Sequence, residues 1–239
     1  MFTNSRDAEA QRGSAEKTVA KRKRFPILKL LLVIVLLAGA YIAFDLLAPR
    51  ESKMRNFNPD EVARLETAMW RSYYDKKQVA LYNQLTELLR SQYNLPLVRS
   101  NVVAYEAARA AFVFKDGKNR ADYEKALPNL ISFYTSIRKV SDIPFDIDRA
   151  ARLELEWWII HRERKTHKPG DLDRSLAELA AELYRIPVER AMEHARLRAE
   201  AMTIRDNRAE NGGVREQDWE KIDDLLHGSW RSLKEAVQL

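Results

Sequence analysis

The chain has 239 residues, with 41 Lys+Arg against 35 Asp+Glu, a formal charge of +6 and no cysteine. Without cysteine there can be no disulfide, thiol catalysis, thioether-linked haem, cysteine-rich zinc site or lipid attachment at an N-terminal thiol. The charge is uneven: residues 1–56 hold 11 Lys+Arg and 5 Asp+Glu, whereas 57–239 hold 30 of each, so the basic excess lies at the N-terminus and the rest lacks the cation surplus by which proteins bind nucleic acid.

Residues 1–24 are polar, without apolar periodicity, and read as a basic, disordered cytoplasmic tail. Residues 25–48, FPILKLLLVIVLLAGAYIAFDLLA, carry no charge between Leu30 and Phe44. At about 1.5 Å rise per residue they can cross a hydrocarbon core of roughly 30 Å as a single helix. The topology flank is Lys21, Arg22, Lys23, Arg24 and Lys29, against Arg50, Lys53 and Arg55 after the span. Cation asymmetry of this kind keeps the N-terminus in the cytoplasm and sends the C-terminal part of the chain across the membrane. Ala38-Gly39-Ala40 has the form of a signal-peptidase site, so cleavage after Ala40 is the alternative to a retained signal anchor. The apolar run continues through Tyr41-Ile42-Ala43-Phe44, which favours the anchor.

Residues 49–56 read as a polar linker, and residues 57–239 as an all-helical extracytoplasmic domain. Asn58-Pro59-Asp60-Glu61 is a helix start: a capping side chain, proline at the first helical position, and acids at the positive end of the dipole. Apolar residues then recur at helical spacing, and glycines and prolines fall between the runs. The spacing predicts helices over about 59–74, 77–93, 97–115, 120–139, 146–165, 171–184, 187–210 and 215–237, with Pro128 bending the fourth or marking a late start. Eight helices pair as four hairpins, either as an array or as a compact bundle.

Within this pattern, AARAAFVFKDGKNRADYEKALPNLISFY resembles a tetratricopeptide hairpin: small residues in its first helix, a glycine turn, and a YEKAL run in its second. The resemblance covers that one hairpin and implies an α-hairpin array. Helix-pair starts near 59, 97, 146 and 187 do not keep the 34-residue period of that family.

Two sets of side chains could carry function. Glu66, Glu106 and Glu154 sit on apolar helix faces, and Glu200 neighbours Leu197 and Ile204. Inward carboxylates from several helices are what a carboxylate-bridged di-iron or di-manganese bundle uses. No histidine has a glutamate three residues before it, so the Glu-x-x-His element of such bundles is missing. The competing expectation is ion pairing with arginines such as Arg71, Arg109, Arg152 and Arg198. The second set is aromatic: Trp70, Trp157 and Trp158 are candidates to contact a partner, with helix packing as the plainer role. No phosphate-binding glycine loop, dinucleotide fingerprint, nucleophile elbow, HExxH or calcium loop is present. The expectation is therefore a non-catalytic, membrane-anchored module of the cell envelope that binds a protein partner or itself, with no cofactor, small molecule or nucleic acid. A metal-binding, redox-active bundle is the alternative.

Overall fold

The computed structural model describes residues 27–238. The tail and Lys21–Arg24 lie outside the described residues. The chain divides into two units, Met1–Ala48 and Pro49–Leu239.

In the first unit, α1 (Ile27–Leu47) is long and apolar enough to cross a membrane, with a mean hydropathy of 2.6 over a window of which none is buried. Lys29 stands in its first turn and the Ala38–Ala40 site in its interior.

The second unit is all-α. Its helices are α2 (Pro59–Tyr74), α3 (Gln78–Tyr93), α4 (Leu97–Asp116), α5 (Arg120–Tyr123), α6 (Leu127–Arg138), α7 (Ile147–Arg162), α8 (Asp171–Tyr184), α9 (Val188–Glu210) and α10 (Glu216–Gln238). Local chemistry sets their ends. Asn58 caps α2 by accepting from Asp60 N and Glu61 N, Asn119 caps α5, and Asp146 caps α7 through Arg149 N. Asn94 and Arg185, at φ 51° and 49°, end α3 and α8 in the left-handed conformation. The fourth predicted helix is split: a 3-10 turn, Glu124–Ala126, separates α5 from α6. Pro128 stands in the first turn of α6, where its missing N–H has no intrahelical partner to lose. α7 stops at Arg162, three residues short of expectation, in a turn closed by Thr166 Oγ1 donating to Glu163 O. Gly117 follows α4 because a Cβ there would lie 2.7 Å from the Tyr123 ring, which packs on Phe114 with centroids 4.8 Å apart.

Each major helix packs on the next along the chain, and α10 packs back on α2. The α2–α10 seam is stitched at both ends, by Arg231 to Asp60 at 2.7 Å and Arg71 to Glu216 at 2.6 Å. The hairpins therefore close into a compact bundle whose last helix meets its first. This decides between the two predicted arrangements, and the likeness of one hairpin to a tetratricopeptide repeat does not extend to an open array. The interior is filled by large side chains, Tyr134, Tyr184, Leu130, Ile137, Ile159, Ile222 and Leu226 among them. Burying each aliphatic one is worth about 1.5–3 kcal/mol relative to exposure.

The stretch expected to be a linker belongs to this unit. Met54 and Phe57 are buried in the core. Ser52 pairs with Ser141 in an isolated parallel bridge, its hydroxyl donates to Tyr93 O, and Met54 N donates to Asp142 Oδ1 at 3.0 Å. Arg55 donates to Tyr184 O at 2.7 Å, Lys234 to Arg55 O at 2.7 Å, and Asn94 Nδ2 to Lys53 O and Asn56 O. Ser52 and Arg55, polar residues that suggested a free tether, satisfy the carbonyls that end α3 and α8, while Met54 and Phe57 are buried between and beside them.

Candidate functional site

Polar side chains from most of the helices meet inside the bundle. Glu66 of α2 is 1% exposed. Its Oε1 accepts from Arg198 Nε at 2.9 Å and Nη2 at 2.8 Å, and its Oε2 from Trp230 Nε1 at 2.7 Å. Burial works to lower the Arg198 pKa, but the charge and hydrogen bond of Glu66, with the charge of Glu154 behind them, leave it raised. The guanidinium also lies 5.2 Å from the centre of the Trp157 ring. A few residues back along α7, Glu154 accepts from the Tyr134 hydroxyl at 2.7 Å and from Trp158 Nε1 at 2.9 Å. Burial, reinforced by the Glu154 charge, pushes the Tyr134 phenol well above its ordinary pKa. Tyr93 is raised for the same first reason, with Tyr184 and Glu154 adding to it.

His194, one turn before Arg198 on α9, faces α10. Its Nδ1 lies 3.1 Å from Ser229 O and 2.8 Å from Ser229 Oγ, whose proton goes to His194 O. Burial, with the Arg198 charge, pulls its pKa down to about 3, so the ring is neutral at any physiological pH. Ser229 and His194 resemble a nucleophile–base pair in spacing. At 0% and 5% exposure, neither can meet a substrate.

The sequence-predicted glutamates are thus not brought to one point. Glu66 holds an arginine and an indole, Glu154 a phenol and an indole, and half-buried Glu106 stands apart on α4, while Glu200 pairs on the surface with Arg196. Among the described residues, no group of three or more His, Asp or Glu is placed to hold a metal ion. Of the candidate arginines, Arg198 alone bonds one of these four acids among the described residues; Arg71 bonds Glu216, Arg109 lies over Tyr105, and Arg152 is exposed. Trp157 and Trp158 are absorbed by the interior, the latter edge-on to Phe114 at 5.2 Å, and Trp70 packs against the core. None of the three forms an open aromatic surface.

That surface is elsewhere. The exposed large apolar residues of the second unit are Tyr73, Val79, Leu97, Val102, Tyr105 and Phe112, and among the described residues none follows Phe112. They all belong to α2, α3 and α4. On α4, Val102, Tyr105 and Phe112 share one outward line with Arg109, opposite the buried line of Val103, Ala110 and Phe114. Tyr105 and Phe112 are 55% and 59% exposed. None of the three tryptophans expected to contact a partner is among these exposed residues, since large aromatic side chains at helical spacing pack inward as readily as outward. The signal that could have found this face is α4's second apolar line, which leaves the helix apolar on two sides. In comparisons with known proteins, the chain matches no family model, no curated protein and no solved structure.

Proposed function

We propose that this chain is a membrane-tethered protein-binding module: α1 anchors it with the basic flank in the cytoplasm, and the helical unit across the membrane presents the outward face of α2–α4 to a protein partner in the cell envelope. The observation that carries this reading is the confinement of the second unit's exposed large apolar side chains, among the described residues, to residues 73–112. Single apolar residues scattered over a surface need no explanation, but a set gathered on one sector of an otherwise polar bundle marks a surface that is covered in use. The interior supports a scaffolding role rather than a reaction, because its two buried acids, Glu66 and Glu154, are each taken up by neighbouring donors. Tethering adds affinity without further contacts by raising the local concentration of the module at the bilayer.

The test is recovery of partners with the detergent-solubilised full-length protein, compared with a Tyr105→Glu/Phe112→Glu variant. Protein recovered with the wild type, another copy of the chain included, is expected to be lost with the variant. Equal recovery with a variant of unchanged helical content would overturn the reading.

A further inference from the structure

Val102, Tyr105, Arg109 and Phe112 recur at alternating spacings of three and four along α4, the spacing of a helix–helix seam. Tyr105 and Phe112 each have a cation over the ring, Arg109 at 5.7 Å and Lys115 at 6.0 Å. Arg109 makes no ion pair among the described residues, and neither does Glu106, although the two are three apart on one helix. The centre of the seam, at the level of Ala107, which itself packs inward on the core, is thus flanked by one unpaired cation and one unpaired anion.

We propose that this face pairs with the same face of a second copy of the chain, the two α4 helices running antiparallel about Ala107. The proposal rests on the reading of the α2–α4 surface as a protein-binding face and names its occupant. A two-fold interface must be complementary to itself. Turning α4 end for end about Ala107 sets Val102 opposite the second copy's Phe112 and Tyr105 opposite its Arg109. It also brings Glu106 within side-chain reach of that Arg109, and each contact occurs twice. A parallel pair would instead oppose Arg109 to Arg109, like charge to like charge. An unrelated apolar segment would cover the stripe but leave both charges unanswered. A seam one helix long is small for a dimer free in solution, and a shared bilayer offsets this by concentrating the copies.

The experiment uses the full-length protein in detergent. Because the natural chain has no cysteine, introduced thiols report alone. The Val102→Cys/Phe112→Cys protein is expected to oxidise to a disulfide-linked dimer, and the two single variants are not. Cross-linking of the single variants to the same extent would show a parallel seam and overturn the arrangement. Glu106→Arg is expected to weaken dimerisation roughly tenfold or more in light scattering against concentration, and Glu106→Arg/Arg109→Glu to restore it, since the exchanged pair is again complementary. Failure of that restoration, with helical content unchanged, counts against the charge pairing. A wild-type chain that stays monomeric yet captures another protein, in a manner abolished by Tyr105→Glu, overturns self-pairing and spares the binding face. A monomeric chain whose stripe is protected only by vesicles assigns the face to lipid and overturns both.

Discussion

Arg198 reaches Glu66 from the opposite side of the α9–α10–α2 seam and places both Nε and Nη2 on one carboxylate oxygen, leaving the other for the Trp230 indole. Glu66 is almost fully enclosed while the Arg198 side chain keeps 18% of its surface exposed, so the carboxylate depends on its two donors far more than the guanidinium depends on it. Removing one partner leaves a buried charge alone, at a cost of about 3–5 kcal/mol. Glu66→Ala is expected to lower unfolding stability by that amount in urea titration. Replacing both members, Glu66→Leu with Arg198→Met, should cost clearly less than the single change.

The His194 pKa of about 3 in the folded chain lies below its ordinary value near 6.5, so the unfolded chain binds the extra proton between these two pH values. Stability from this group is complete above about pH 6.5 and falls as the pH drops toward 3, with a slope approaching about 1.4 kcal/mol per pH unit. Urea midpoints measured across that range should show the loss. His194→Gln is expected to flatten that part of the profile, at the cost of a lower plateau at neutral pH.

Tyr134 is fully buried and bonded to Glu154. Glu154→Leu removes the acceptor and strands both the phenol and the Trp158 indole, an expected loss of about 1–3 kcal/mol for each unsatisfied group. Tyr134→Phe removes one donor and leaves Glu154 with Trp158, so the smaller loss, about 1 kcal/mol, is expected. Thermal unfolding of the two variants and their combination gives the coupling directly.

Met54 is 0% exposed and its backbone is tied to Asp142. Met54→Ala is expected to cost about 2–5 kcal/mol, as for other large-to-small changes in a packed core. A fragment starting at Pro49 should resist limited proteolysis, whereas one starting at Pro59 should be cut in the loops around Asn94 and Asp142, which lose their partners.

The helix starts and stops were legible because Asn58-Pro59, Leu95-Pro96, Asp116-Gly117, Pro169-Gly170 and Asn211-Gly212-Gly213 act on the backbone locally. Glu66 was legible as an inward acid for a similar reason, since its neighbours Val62 and Met69 define the face, and Arg198 stood among its four candidate partners. The partners of Glu154 divide along the same line. Trp158 lies one turn away on the same helix, while Tyr134 reaches it only through the packing of α6 on α7. The interior role of residues 52–57 was not legible, because hydrogen bonds to distant helix ends look like solvation in a polar stretch. The closure of α10 on α2 was not legible either: a single sequence shows which faces are apolar and leaves open which of them meet.

The meeting of α2 with α10 also bears on how the chain folds. The first helix of the bundle rests on the last, and Lys234 holds the carbonyl of Arg55, so the contacts of greatest sequence separation form the closing seam. Loop-closure entropy must be overcome before those contacts contribute. During synthesis Glu66 is made well before Arg198 and Trp230, and for that interval its carboxylate lacks both partners. The bundle can therefore acquire its complete interior only after α10 has been made, and residues 52–57, among the first of the unit to emerge, are among the last to be locked in place.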